Sequence, residues 1–146
     1  MQSEREENLL NDFINRGVLK GWFIGEFPIG RKRLGKMGID YRVGKFYIDM
    51  VCVEGIYGRK PMRFDFRYEE FIMKEIEYKW VWLLEAKREL NAESIGQILI
   101  DKYLFPEDYP QIRIKGLGII CRKADEVLKE ICGKMGIEVF VAPHQE

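Results

Sequence analysis

The chain has 146 residues, 47% hydrophobic and 33% charged, which fits one globular domain over residues 1–146 and excludes a disordered or fibrous polypeptide. Lysine plus arginine equals aspartate plus glutamate at 24 each, so net charge alone points neither to nucleic acid nor to an anionic surface. No apolar run approaches the roughly 18–20 residues of a membrane span, and the acidic start SEREE is unlike a signal peptide, so a cytoplasmic protein with no membrane association is expected.

In chain order, the first expected element is a helix from about Ser3 to Asn15. Ser3 and Glu6 fit a capping box, Leu9, Leu10, Phe13 and Ile14 form an apolar stripe, and Gly17 stands in C-cap position. Val18–Phe27 reads as a strand stopped by Pro28 and Gly30, and Arg31–Gly38 as a short basic loop lacking the GxxxxGK phosphate-binding pattern. Lys45–Glu54 is a second strand, with Tyr47, Asp49, Val51 and Val53 on one face and Phe46, Ile48, Met50 and Cys52 on the other. Gly55–Gly58 is a turn; Met62–Tyr68 suits a strand, and Glu69–Glu77 either a short helix or more strand.

Trp80–Leu84 is an uninterrupted apolar run, as in a strand buried on both faces, and it leads into Glu85, Ala86 and Lys87. Alternation puts Val81, Leu83, Glu85 and Lys87 on one side and Trp80, Trp82, Leu84 and Ala86 on the other. Asn91 is a good N-cap for a helix over Ala92–Leu104, with Ile95, Ile98, Leu99 and Tyr103 inward and Pro106 as its stop. A strand over Gln111–Cys121, a helix over Ala124–Met135 and a last strand over Ile137–Ala142 complete the order. The expected fold is α/β, with a central mixed β-sheet flanked by helices.

Charge is unevenly spread. Arg16, Lys20, Arg31, Lys32, Arg33, Lys36, Arg42, Lys45, Arg59, Lys60 and Arg63 face only Glu26, Asp40, Asp49 and Glu54 within residues 16–63, whereas 64–109 leans acidic. Such a lobe suits either a phosphate-facing surface or an ordinary solvated one. Threonine is absent, serine occurs only at Ser3 and Ser94, and His144 is the only histidine. Triads, Cys/His pairs and histidine metal sites are therefore set aside. Cys52, Cys121 and Cys132 lie among apolar neighbours, as buried free thiols do. Scarce Asn, Gln and Ser with abundant Glu, Lys, Arg and Ile suggests a heat-adapted source.

Burying charge inside a strand is costly unless it is paired or bound to a metal. Asp49 on one apolar strand and Glu85-x-Lys87 ending another bring two carboxylates beside an amine. Two convergent carboxylates suit a hard cation such as Mg²⁺, with water and phosphate oxygens completing its octahedron. The cation lowers the pKa of a bound water, and a neighbouring lysine orients that water or stabilises charge on phosphorus. These are the parts that phosphodiester hydrolysis needs. Without the surrounding context, an acid-x-lysine triplet is equally an ion pair at a strand end, as at Glu77-Tyr78-Lys79.

With VWLLEAKRELNAESIGQILIDKYLF following the Asp49 strand, the chain resembles the PD-(D/E)XK nuclease superfamily, in particular its RecB-like branch, from about Lys45 to Leu104. The resemblance implies a restriction-endonuclease-like core of order α-β-β-β-α-β and cleavage of DNA dependent on Mg²⁺ or Mn²⁺. It gives Asp49 and Glu85 the metal, Lys87 the water, and Gln97 a contribution from the following helix. Arg31, Lys32, Arg33, Lys36 and Arg42 would grip the DNA backbone, and a homodimer would cut both strands. Asp40 and Asp65 are rivals of Asp49 as first acid, and Glu6 and Glu26 are candidates for an additional one. The QxxxY pattern of the branch is altered, since Asp101 stands where the tyrosine would be and Tyr103 is nearest. The alternatives are an inactive nuclease-fold protein that binds nucleic acid or a protein partner, and a plain interaction domain.

Overall fold

The computed structural model describes residues 5–40 and 46–144. A single six-stranded mixed sheet in the order β3-β1-β2-β4-β5-β6 carries helices on both faces. In chain order these elements are α1 (Glu6–Arg16), β1 (Trp22–Pro28), α2 (Arg31–Lys36), β2 (Tyr47–Val53), β3 (Met62–Arg63), α3 (Glu69–Ile76), β4 (Trp80–Ala86), α4 (Ala92–Asp108), β5 (Arg113–Cys121), α5 (Glu126–Lys134) and β6 (Ile137–Val141). The first half is a meander, β1 antiparallel to β2 and β2 antiparallel to β4; β4, β5 and β6 then run parallel. Parallel neighbours need crossovers, and α4 and α5 supply them. The sheet grows in one direction through both, so crossovers of one hand put both helices on one face.

The burial pattern follows. Val81 and Leu83 of β4 join Ile98 and Phe105 of α4, Ile72 and Ile76 of α3 and Cys132 of α5 in one core cluster. Leu84 and Ala86 of β4 join Leu9 and Phe13 of α1 in the other, with Met50 and Cys52 of β2. The alternation expected for β4 is therefore what the structure has, with both faces buried from Leu83 to Ala86, whereas Trp82 is half-buried and Trp80 at the start of the run is exposed. The thiols of Cys52, Cys121 and Cys132 are free and buried, as expected.

Several elements differ from expectation. Residues Arg31–Lys36, expected as a loop, form α2, because the Asp108 carboxylate accepts hydrogen bonds from the Arg31 N–H (3.0 Å) and the Lys32 N–H (2.9 Å). That cap comes from the far end of α4 and has no local signal. The helix α4 itself runs past Pro106 to Asp108. Proline there removes one bond in the last turn, and the aromatic contacts of Phe105 and Tyr109 with Phe27 hold the turn in place, at centroid distances of 5.9 and 5.1 Å. The Tyr109 hydroxyl also donates to the Pro28 carbonyl at 2.6 Å.

Within Met62–Tyr68 only Met62–Arg63 is strand; Phe66–Tyr68 is a 3₁₀ turn capped by Asp65, and the helical alternative for the following stretch holds as α3. β1 starts at Trp22 rather than Val18, and α1 starts at Glu6 with no side-chain cap from Arg5. The Ser3 of the expected capping box lies outside the described residues. The inward face of α4 is Ser94, Ile95, Ile98, Asp101 and Phe105; Leu99 is half-buried and Tyr103 points outward, 76% exposed.

Gly116 of β5 lies under the Trp82 ring, where an added Cβ would come within 2.5 Å of a ring carbon. Gly116→Ala should therefore destabilise the fold by about 1–3 kcal/mol, as overpacking does. Urea unfolding would measure it, and an unchanged midpoint would show that the ring moves aside freely.

Candidate active site

The site forms where β2 and β4 part. Their ladder pairs Val53 with Val81 and continues to Met50 and Leu84, and there the backbone pairing ends. The next facing pair is Asp49 and Glu85, and their side chains take over the backbone's partners. The Asp49 N–H donates to Glu85 Oε1 at 3.1 Å, and the Ala86 N–H donates to Asp49 Oδ2 at 2.9 Å. Each acid thus satisfies a donor of the other strand, and the two carboxyl groups are locked together at the open end of the sheet.

A distortion of β1 and β2 accompanies this parting. Ile48 and Val51 enter the same core cluster although they are three residues apart, and so do Ile24 and Phe27 of β1. Strict alternation would have separated them, and the face expected for Ile48 was the opposite one. Both strands break their alternation at the facing positions Glu26 and Asp49 while keeping one register on either side, Gly25 with Met50 and Phe27 with Ile48, and Glu26 adopts φ 50°.

The Asp49–Glu85 pair opens into a cleft of about 280 Å³, lined also by Lys87, Gln97, Ser94, Glu93, Glu6 and Tyr47. The four residues expected from the sequence, Asp49, Glu85, Lys87 and Gln97, therefore all border one cavity. Lys87 stays in line because its N–H donates to the Ile120 carbonyl of β5 at 2.9 Å, and its ammonium lies 3.7 Å from Glu93. Gln97 comes from the first turns of α4, which is fixed by a capping box between Asn91 and Ser94. Glu6, at the start of α1, reaches the cleft from the other face of the sheet. Of the rivals to Asp49, Asp65 is spent on capping and pairing with Arg67, and exposed Asp40 does not line the cleft.

Beneath the cleft sits an acid at the position where the QxxxY pattern would place a tyrosine. Asp101 is fully buried on α4, accepts a hydrogen bond from the Gln97 amide at 2.9 Å, and lies against the Glu85 carboxyl. Among the described residues, Oδ2 of Asp101 and Oε2 of Glu85 have no hydrogen-bond donor. Two carboxyls in contact inside a protein hold a proton between them or share a cation. Burial, then the charges of Asp101 and Asp49, push the Glu85 pKa up; burial likewise raises Asp101. Asp49 is raised by burial against the lowering pull of the Ala86 N–H, and Glu6 by burial and by Asp49. The spacing Ser94, Ile98, Asp101, Phe105 was the available signal: an acid in the buried stripe of a helix.

One or two carboxylates with water completing the shell is the donor set that Mg²⁺ takes, and the orphaned Glu85 oxygen beside Asp49 fits it. Among the described residues no group of three or more acidic, thiol or imidazole side chains is arranged to hold an ion.

The expected DNA-gripping residues are arranged differently. Arg31 pairs with Glu69, and Arg33 forms a two-pronged pair with Glu107 at 2.7 Å for each bond. Lys32 and Lys36 stand exposed on α2, and Arg42 lies outside the described residues. None of the described four lines the cleft. Among the described residues no helix is long and apolar enough to cross a membrane. Comparison with protein-family models, with curated proteins and with solved structures returns no match, so what the cleft does must be judged on its own geometry.

An acid whose pKa is raised by folding keeps its proton in the folded chain after the unfolded chain has released it. Its stabilisation is complete below the ordinary values near about 4 and is lost as pH rises. The thermal midpoint in EDTA should accordingly fall between about pH 5 and pH 8. Asp101→Asn, which has no proton to release and can donate its amide to Glu85, should flatten that fall. Calorimetric scans across the range test this; equal slopes for the two proteins would refute the shared proton.

Proposed function

We propose that this protein is a metal-dependent deoxyribonuclease of the PD-(D/E)XK kind with a restriction-endonuclease-like core. The observation that carries the proposal is the mutual locking of Asp49 and Glu85 at the parting of β2 and β4, with Lys87 and Gln97 on the same cleft. Asp49 and Glu85 would hold Mg²⁺ or Mn²⁺, which supplies Lewis-acid charge to a phosphate oxygen and acidifies a bound water. Lys87, partly buried at the rim, orients the attacking water and stabilises charge that builds on phosphorus. Gln97 tethers Asp101, and Asp101 in turn sets the position of the Glu85 carboxyl.

The remaining features agree with this assignment. The N-terminal turn of α4 presents its partial positive charge beside the cleft, which favours a phosphate. Lys32 and Lys36 offer sequence-independent backbone contacts, and DNA binding should weaken steeply with salt. Three free, buried thiols suit a reducing cytoplasm. Cleavage of both strands of a duplex would need a paired active unit, with one site per strand. The alternative, an inactive protein of the same fold that binds nucleic acid or a protein partner, draws on one observation: the Glu85 and Asp101 carboxyls are buried together, and a proton held between them would satisfy both without any cation.

Cleavage of supercoiled, linear and branched DNA with Mg²⁺, Mn²⁺ or EDTA separates the two. Metal-dependent cutting by the wild type, reduced at least about a hundredfold in Asp49→Ala, Glu85→Ala and Lys87→Ala, is the expected result. If every protein leaves every DNA intact while Mg²⁺ fails to raise the wild-type melting temperature, the inactive reading replaces this one.

A further inference from the structure

Beside the cleft lies a second surface with no part in holding a cation. Gly30, Phe46, Leu99, Ile100, Tyr103 and Leu104 form an apolar shelf, with Arg33 at its edge. Tyr103 is 76% exposed, Ile100 47% and Phe46 39%, so large apolar side chains gather there in contact with solvent. Contiguous apolar groups of that kind mark a binding surface more often than chance exposure does.

Its position says what would bind. Phe46 borders both the shelf and the acidic cleft, so the two are one continuous surface. Along α4 the same ridge runs from Gln97 in the cleft through Ile100 to Leu104, about 10 Å of helix at 1.5 Å per residue. A strand with one phosphate in the cleft therefore brings a neighbouring nucleotide over the shelf. Phe46 is held firmly: its carbonyl accepts the Ile29 N–H at 3.1 Å, and its ring closes on Gly30, where an added Cβ would lie 3.2 Å from it. Lys32 and Lys36 stand exposed on neighbouring α2, within the reach of a backbone that follows the shelf. Aromatic and aliphatic side chains flanked by lysines are how proteins receive unpaired bases, whose faces are free to stack; paired bases keep theirs inside the duplex.

We propose that this shelf is a stacking subsite for an unpaired nucleobase, so that the strand entering the cleft is single-stranded where it passes Tyr103. The inference rests on the nuclease reading and names the substrate class of that site.

Anisotropy titrations with Ca²⁺ in place of Mg²⁺, so that a cation can occupy the Asp49–Glu85 pair, test it with three labelled probes: a short single-stranded deoxyoligonucleotide, an abasic strand of equal length, and a blunt duplex of the same sequence. Wild type should bind the base-bearing strand at least about fivefold more tightly than the abasic one. Tyr103→Ala and the double variant Ile100→Ala/Tyr103→Ala should lose that difference, and Tyr103→Phe should keep it. Their affinities for abasic strand and duplex should match wild type. Because both side chains are exposed, the variants should melt with the wild type, and a matched melting curve confirms that binding loss is local.

A wild type that binds or cuts DNA but treats base-bearing and abasic strands alike, or variants that bind as wild type does, overturns the subsite and leaves the nuclease reading standing. A wild type that neither binds nor cuts any DNA overturns both. If Tyr103→Ala dissociates an oligomer and leaves strand affinity unaltered, the shelf is a contact between copies and the proposal fails.

Discussion

The exchange of hydrogen bonds between Asp49 and Glu85 is the constraint on which the rest of the site depends. Where β2 and β4 separate, the N–H groups of Asp49 and Ala86 lose their place in the ladder, and an unpaired buried donor costs about 1–3 kcal/mol. The two carboxylates answer both losses at once. Their positions are dictated by backbone donors rather than by flexible neighbours, so the pair is held in place before any ligand arrives. The broken alternation at Glu26 and Asp49 is the mechanical counterpart, falling where β2 leaves β4 while its pairing with β1 continues to Pro28 and Tyr47. The left-handed backbone at Glu26 costs about 1–2 kcal/mol. It is sustained by the well-packed strands on either side, where Ile24, Val51, Val81 and Leu83 are fully buried.

The helix α4 is the second fixed part, and it explains how a fully buried aspartate is tolerated. Its first turn is tied by the Asn91–Ser94 box and its last by Phe105, Tyr109 and the Asp108 cap on α2. Anchored at both ends, it cannot roll to carry Asp101 into water. The acid must then be neutralised where it stands, by a proton shared with Glu85 or by charge brought to the pair. This couples the floor of the cleft to whatever occupies it. Gln97 carries the coupling to the surface, because its amide is committed to Asp101 while its side chain still borders the cavity.

The sequence made much of this legible, and the exceptions share a cause. The unbroken apolar run Trp80–Leu84 and the lone acid Asp49 inside the apolar stretch 46–53 were readable because strand periodicity is local, and it placed Glu85 and Lys87 on the face of Val81 and Leu83. The Asn91 cap was readable for the same reason. The helix α2 was not, because its N-terminal donors are met by Asp108, 76 and 77 residues away. Nor was the continuation of α4 past Pro106, which depends on aromatic contacts with β1. Asp101 was hidden by the choice of inward stripe: taking Leu99 and Tyr103 as core turned the aspartate outward. The break in alternation at Asp49 was invisible too, since an apolar residue on either side of it fits either face of a strand buried on both.

Charge shows the limit of reading along the chain most plainly. The basic segment before residue 64 and the acidic one after it suggested a phosphate-facing lobe, yet the fold brings them onto each other: Arg31 meets Glu69, Arg33 meets Glu107 and Arg59 meets Glu75. Exposed pairs of this sort contribute only about 0–1 kcal/mol, so Arg33 can trade Glu107 for a phosphate at little cost. The cleft has no such latitude. Glu6, Asp49, Glu85 and Glu93 line it against Lys87 alone, with Asp101 beneath. A phosphodiester approaching that surface meets net negative charge in a partly desolvated pocket, where repulsion is felt more strongly than in water. On the nuclease reading the order of events therefore follows from electrostatics: positive charge must enter between Asp49 and Glu85 before the DNA backbone can settle against them.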